Sequence, residues 1–318
     1  MRILVTGGAG FIGSHLCERL IHEGHSVTAI DNFSTGKAPN LDSLKGSVNF
    51  KMVEGSILDI SILNPLIAEA DYVFHLAAAV GVFNIVKNPL ASLLTNIRGT
   101  ENVLESAHAT KTPVFLTSSS EVYGKNISDS LKESDDRILG SPVTLRWSYS
   151  EAKAIDESLA YAYFIEKQLE TRIVRFFNTV GPRQLGAYGM VVPRFVKSAL
   201  ANEPITIYGD GTQTRCFAHV YDVIDAVIAI AFADNTIGKV INIGNDFEIS
   251  INNLAQRIIT EIGSKSEIVY VPYEEAYGDG FEDMERRVPN IDLINQLVGW
   301  KPKRDLTTMI SDISAEMK

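Results

Sequence analysis

The chain of 318 residues and 34.9 kDa exceeds a typical domain of about 100–200 residues, so one large or two intimate domains are expected. Its 45% hydrophobic and 21% charged residues exclude a disordered chain, a collagen-like repeat and a disulfide-stapled miniprotein. A net charge of −10 argues against general binding to nucleic acid or to an anionic membrane. Cys17 and Cys216 are the two cysteines, and no CxxC or His cluster at ligand spacing points to a metal. The start, Met1 to Gly7, is too short in apolar residues for a signal peptide. The apolar run Ala226 to Ala233 lies between Asp225 and Asp234 and is too short to span a bilayer. A cytoplasmic protein is expected.

In chain order, Ile3–Thr6, Ser26–Ile30, Phe50–Val53, Tyr72–Leu76 and Val114–Thr117 read as strands, rich in Val, Ile and Phe and too short for helices. Between them Gly13–Glu23, Ile62–Glu69 and Pro89–His108 read as helices, the last opened by a proline in its first turn. A long helical pattern, Tyr149–Lys167, and a strand, Arg172–Phe177, follow Ser141-Pro142. Such alternation predicts an α/β fold with a doubly wound parallel sheet covered on both faces. The second half is richer in loops, punctuated by Gly181-Pro182, Gly186, Gly189, Gly209 and Gly211. Between Arg172 and Tyr221 six basic residues face two acidic ones, a local +4 inside an acidic chain. That excess is either a solvated basic face or a site for an anionic substrate.

The first strand runs into Gly7-Gly8-Ala9-Gly10-Phe11-Ile12-Gly13, which fits both GxxGxxG and GxGxxG. Glycines there permit a tight turn and let backbone N–H groups approach a pyrophosphate at the positive end of the next helix. Alone the motif is weak. Here it has a strand before it, a helix after it, and Asp31 at the end of the second strand. A carboxylate in that place accepts hydrogen bonds from ribose hydroxyls and repels a 2′-phosphate, which favours NAD over NADP.

Tyr149 and Lys153 form YxxxK, and their spacing puts both side chains on one helical face. An ammonium beside a phenol lowers its pKa and makes it usable as an acid or base. A second YxxxK, Tyr163 and Lys167, reads as a helix-surface pair. Tyr149 is the better candidate because it opens its helix and follows a strand ending in Thr117-Ser118-Ser119-Ser120-Glu121. Hydroxyls at a strand's carboxyl end sit where doubly wound sheets bind ligands.

The glycine turn, the serine run before Glu121-Val122-Tyr123-Gly124, and Tyr149-x-x-x-Lys153 together resemble the extended short-chain dehydrogenase/reductase family. More narrowly, the chain is similar to the nucleotide-sugar epimerases, dehydratases and decarboxylases of that family. The likeness runs on through Arg175 to Arg183, Tyr208 to Arg215, Arg286 to Ile291, and Gly299 to Pro302. It implies a Rossmann domain over 1–176 plus 216–243 and a smaller nucleotide-sugar-binding domain over 177–215 plus 244–318. By resemblance, Ser119 hydrogen-bonds the sugar hydroxyl, Tyr149 takes the C4 hydroxyl proton while hydride passes to bound NAD, and Lys153 holds the nicotinamide ribose. The same likeness places Gly7, Gly10, Phe11, Ile12, Gly13, Asp31, Asn32, Ser56, Ile57, Leu76, Ala77, Ala78 and Asn96 along the cofactor. It assigns Ser120, Arg146, Asn178, Val192, Arg215 and Arg287 to a UDP-sugar substrate, with Arg287 as a phosphate or carboxylate clamp. It also implies a homodimer pairing Pro89–His108 with Tyr149–Lys167.

Within the family Glu121 is the informative residue. The 4,6-dehydratases carry an Asp-Glu pair there, whereas Ser120-Glu121 lacks the aspartate and leaves loss of water from C6 without an acid. Ser-Glu, Arg146, Glu151 and Arg287 resemble the UDP-glucuronate decarboxylases. A 4-epimerase of a UDP-sugar is the alternative, with Glu121 then a loop carboxylate without chemistry. A non-catalytic NAD-binding scaffold could lose Ser119, Tyr149 or Lys153 without harm, and all three are present.

Overall fold

Short apolar, β-branched runs form the centre of the molecule. The computed structural model describes residues 1–81, 85, 87–186, 190–273, 275, 284 and 286–318; Gly189, expected in a loop, lies outside them. The chain begins β1 (Arg2–Thr6), α1 (Phe11–His22), β2 (Ser26–Asp31), β3 (Phe50–Glu54), α2 (Ile60–Glu69), β4 (Tyr72–His75), α3 (Pro89–Thr110) and β5 (Val114–Ser119). It continues through α4 (Ser148–Lys167), β6 (Thr171–Phe176), β7 (Thr179–Val180), α5 (Val191–Ala201), β8 (Ile205–Tyr208), β9 (Thr214–Cys216) and β10 (Ala218–His219). The remainder is α6 (Val220–Ala231), β11 (Val240–Ile243), β12 (Glu248–Ser250), α7 (Ile251–Ile262), β13 (Ile268–Val271), α8 (Asp292–Val298) and α9 (Leu306–Met317).

Seven strands form one parallel sheet in the order β11-β6-β5-β4-β1-β2-β3. This is the doubly wound α/β architecture, with the order reversing between β1 and β4. Every strand predicted in the first half is present, with ends shifted by a residue or two. Helix α1 begins at Phe11 rather than Gly13, since the Gly10 carbonyl already accepts from the Ser14 N–H at 3.0 Å. Helix α2 begins at Ile60, where the Asp59 side chain caps the Ser61 N–H.

Both faces of the sheet are covered. Leu16, Leu20, Phe74, Phe115, Val223, Val227 and Ile230 pack α1 and α6 on one side. Leu63, Ile67, Val103, Leu104, Ala160 and Ile173 pack α2, α3 and α4 on the other. A second core joins Phe195, Val196, Ile205, Ile207, Leu254, Ile258, Met309 and Ile313 from α5, β8, α7 and α9. Ile294 and Trp300 belong to the first core, although they follow the α7 part of the second. The Trp300 Nε1–H donates to the Asp222 carbonyl at 2.9 Å, and the buried Asp222 carboxylate accepts from the backbone N–H of Lys303 and Arg304. No described helix is long and apolar enough to cross a membrane.

The first core makes a direct prediction. Phe74 is fully buried between Tyr72 and Phe115, with ring centroids 5.0 and 5.3 Å away. Phe74→Ala should cost about 3–5 kcal/mol through lost burial and a residual cavity, read as a lower urea midpoint.

Candidate active site

The strand ends converge on one cavity of about 710 Å³, within the range of ligand sites. Thr6 leads into Gly7, which needs φ +72°, and a side chain there would put its Cβ 2.8 Å from the Ala77 amide nitrogen. A Cβ on Gly13 would stand 2.2 Å from the Gly7 carbonyl oxygen, so α1 packs directly on the turn. Gly10, Phe11, Ile12 and Gly13 line the cavity at the helix N-terminus, with no side-chain cap on Gly10. Free N–H groups there suit a pyrophosphate. Asp31 ends β2 at the cavity wall, 8% exposed, with its oxygens accepting from Ala9 N–H at 3.0 Å and Phe33 N–H at 2.8 Å. Burial pushes its carboxyl up while those amides pull it down. Asn32, Ser56, Ile57, Leu76, Ala77 and Ala78 continue the same wall. A glycine cradle with no room for a Cβ, joined to a carboxylate one strand away, fits the adenosine half of NAD.

Asn96 takes a different place from the other expected cofactor residues. It does not line the cavity; its side chain accepts from Ala79 N–H at 2.7 Å and donates to Ala79 O at 3.2 Å, pinning the loop after β4.

Ser119, Tyr149 and Lys153 meet at the middle of the cavity. Residues 149, 153 and 156 share one face of α4, turned into the protein. The Lys153 ammonium donates to Thr117 O at 3.0 Å and to Asp156 Oδ2 at 3.1 Å. Burial pushes the Tyr149 phenol up, and the pull of Lys153 and of the Ser119 hydroxyl does not offset it. The expected lowering by the ammonium is therefore present in sign but outweighed by desolvation, which spacing in a sequence does not reveal. Tyr163 and Lys167 stand outside the cavity, with Tyr163 edge-on to His108. Glu151 pairs at the surface with Arg137 at 3.3 Å.

Ser120 and Glu121 follow β5 in a single 3-10 turn. Glu121 is bonded on both oxygens, to Arg146 Nη1 at 2.6 Å and Arg287 Nη1 at 2.5 Å, with both arginines 7% exposed. Burial alone would raise this carboxyl, but the two guanidiniums outweigh it and hold it at about 2. At neutral pH Glu121 is thus a carboxylate and has no proton to donate. Arg287 Nη2 also donates to Asn178 Oδ1 at 2.9 Å, and Asn178 Nδ2 donates to Cys216 O. The Arg287 Nε is buried without a hydrogen-bond partner among the described residues. Among the described residues, the two arginines and one glutamate of this cluster sum to +1.

The remaining wall carries Val192 and Arg215, as expected, together with Arg194, Tyr208, Gln213 and Tyr273. Arg194 stacks its guanidinium 4.3 Å from the Tyr208 ring centroid. The local charge excess is thus divided: Arg194 and Arg215 face the cavity, whereas Arg172 and Arg175 are buried against Glu170 and Glu157. Arg194 entered the sequence reading only as one of the six basic residues of the local excess, and Tyr273 was not singled out because it lies in no spaced motif of its own. Among the described residues no group of His, Cys, Asp and Glu is placed to hold a metal ion.

A dinucleotide cradle feeding a Ser-Tyr-Lys set at the switch point of a doubly wound sheet defines the class of NAD-dependent enzymes that work on hydroxyl and carbonyl groups. Residues 3–244 match the profile of the NAD dependent epimerase/dehydratase family, and the chain belongs to that family. It is 42% identical over 302 residues to a UDP-N-acetyl-alpha-D-glucosaminuronate decarboxylase of Bacillus cytotoxicus, covering 95% of this chain and 92% of that protein. It is 36% identical to UDP-glucuronic acid decarboxylase 1 of Xenopus tropicalis, covering 95% and 68%. Among solved structures it resembles the UDP-glucuronic acid 4-epimerase of Bacillus cereus, with a TM-score of 0.89, 30% identity and coverage of 100% and 99%. The cofactor is NAD.

The Glu121 bridge carries a prediction with a pH signature. Because the carboxyl sits below its ordinary value in the folded protein, it contributes stability above about pH 4.3 that fades as the pH falls towards 2. Glu121→Gln leaves two buried guanidiniums uncompensated and should cost about 3 kcal/mol at pH 7. Urea midpoints of the variant and the parent should converge as the pH drops below 4.

Proposed function

We propose that this NAD-dependent enzyme decarboxylates a UDP-hexuronate through a 4-keto intermediate. The observation that carries the reading is the Arg146–Glu121–Arg287 cluster, two guanidiniums on one ionised carboxylate among the described residues, in the cavity that Ser119 and Tyr149 also line. A C6 carboxylate suits that charge. Among the described residues no further acid for expelling a C6 hydroxyl stands in the same place, which disfavours a dehydratase. The decarboxylase relatives support the choice, and the 42% identical one makes the N-acetylated hexuronate the first substrate to test.

In this reading Ser119 hydrogen-bonds the C4 hydroxyl and Tyr149, once its phenol has lost its proton to solvent, accepts the C4 hydroxyl proton as the phenolate. The glycine turn and Asp31 would hold NAD, which would supply the acceptor and later the donor of the C4 hydride. The C4 carbonyl then lies β to the C6 carboxylate. The C5–C6 bond breaks, carbon dioxide leaves, and its electron pair moves onto O4 as an enolate stabilised by the Ser119 and Tyr149 hydroxyls. C5 takes a proton from solvent water, which restores the C4 ketone, and Tyr149 returns its proton to O4 as C4 is reduced. Arg287, with its Nε unpaired, binds the carboxylate in the ground state, and Ser120, Asn178, Val192 and Arg215 hold the nucleotide diphosphate side.

The reading assigns 1–176 with 216–243 to the cofactor and 177–215 with 244–318 to the sugar nucleotide; the two cores support that division apart from Phe217 and the stretch around Ile294 and Trp300. We further assign the outer faces of α3 and α4 to a homodimer, since Leu90, Ile155, Tyr161 and Ile165 expose apolar area there. A cytoplasmic location completes the proposal.

Incubation with UDP-N-acetylglucosaminuronate, UDP-glucuronate and UDP-glucose, read by mass spectrometry and proton NMR, tests it. A product lighter by carbon dioxide is expected from a hexuronate. An isobaric product inverted at C4 would replace decarboxylation by epimerisation, a reading the likeness to the Bacillus cereus epimerase keeps in view. Tyr149→Phe should lower kcat by about 10²–10⁴-fold. Full activity in that variant would remove Tyr149 from its assigned role.

A further inference from the structure

Lys153 is not the end of the polar chain behind Tyr149. The ammonium is 2% exposed and Asp156, one turn further along α4, is wholly buried, with 3.1 Å between Nζ and Oδ2. Burial pushes the Asp156 carboxyl up and Lys153 is the first group to pull it back; Thr100 of α3 acts in the same sense, although no hydrogen bond joins the two and Asp156 Oδ1 is buried without a partner among the described residues. Thr100 Oγ1 lies 3.2 Å from His75 Nε2, and His75 Nδ1 lies 2.8 Å from Thr6 Oγ1. Thr6 in turn accepts from the Ala77 N–H at 3.1 Å. Thr6, His75 and Thr100 are fully or almost fully buried, so this line of groups joins β1, β4 and α3 out of contact with solvent.

A buried ammonium needs a buried anion, and two groups could supply it. One is Asp156. The other is the Tyr149 phenolate itself. We propose that Asp156 is a positioning residue for the Tyr149–Lys153 pair: as the resident counter-ion of Lys153 it keeps the Tyr149 phenol protonated in the resting enzyme. It also directs the ammonium, since Thr117 O and Asp156 take two of its three protons and leave the third for the cavity.

The other charges around the pair are already committed. From β4, His75 is held neutral, at about 3, chiefly by burial and then by Lys153. From the turn after β5, Glu121 is bound by Arg146 and Arg287. From α4 and β6, Glu157 is bound by Arg175 at 2.9 and 2.7 Å. Asp156 thus differs from the other two carboxylates near Tyr149, Glu121 and Glu157, in being paired to the lysine of the motif rather than to an arginine. Its charge opposes ionisation of the phenol, while Asp156, Tyr149 and Glu157 together hold Lys153 protonated against the cost of burial. With the carboxylate gone, the phenolate becomes the best counter-ion for Lys153.

The inference rests on the proposed role of Tyr149 for its bearing on turnover, but its test does not need a substrate. The Tyr149 phenol can be titrated by phenolate absorption in the enzyme as purified, as the parent minus Tyr149→Phe. The same difference is then taken in the Asp156→Asn background. The midpoint should fall by about one pH unit in Asp156→Asn, and the acid limb of kcat should move the same way. Asp156→Ser removes the same charge with room for a water and carries the same expectation if the asparagine variant does not fold. A purely structural Asp156 would lower stability and activity at every pH alike and leave the midpoint in place. An unchanged or raised midpoint overturns the proposal. A lowered midpoint in a protein that turns over neither hexuronate would retain the counter-ion and reject the decarboxylase reading; turnover with an unmoved midpoint would do the reverse.

Discussion

The chemistry of this molecule depends on where four parallel strands stop. Thr6 of β1 is level with His75 of β4, His75 with Leu116 of β5, and Ser119 at the end of β5 with Phe176 of β6. Side chains that leave these ends must meet in one place. Because the crossovers from β1 and β4 run to opposite sides, a gap is left between them at the strand ends. The close approach of Gly7 to Ala77 is the contact that keeps the gap narrow, and it is possible because Gly7 has no Cβ. Substituents on this framework can change without disturbing it, which is how one sheet supports different reactions.

Two charged clusters share that cavity and are built differently. Among the described residues the Arg146–Glu121–Arg287 bridge carries one more positive charge than negative. The Lys153–Asp156 pair is balanced and presents direction rather than charge. Their separation lets the protein attract an anion at one end without ionising the phenol at the other. A buried ion pair contributes little stability after desolvation, so the value of both clusters lies in orientation.

The parts of this arrangement legible in the sequence were those set by local rules. The glycine turn declared itself through the strand before it, the helix after it and Asp31 beyond. Position at a strand end singled out Tyr149 over Tyr163. What stayed hidden depends on contacts between distant residues. Glu121 finds one arginine 25 residues away and another 166 away, and a carboxylate in isolation gives no sign of either. Asn96 has the composition of a ligand contact but spends both ends of its amide on Ala79. The rise in the phenol's pKa comes from burial, which is a property of the folded surroundings. In the second half, β7, β9, β10 and β12 are two or three residues long, too short to show any periodicity.

The path of the chain between its two cores has a consequence for how such proteins can be rebuilt. After Val174 in the first core, the chain enters the second at Val180, returns at Ala218, leaves again by Ile251, comes back at Ile294 and Trp300, and finishes in the second at Met309 to Ile313. Trp300 and the backbone after it are tied to Asp222, at the start of α6, from the far side of that excursion. The smaller core is therefore a set of loops stitched into the larger one, without a single pair of ends at which it could be cut out. Specificity in this architecture cannot be transplanted as a cassette; it has to be altered side chain by side chain, within a wall that both cores build together.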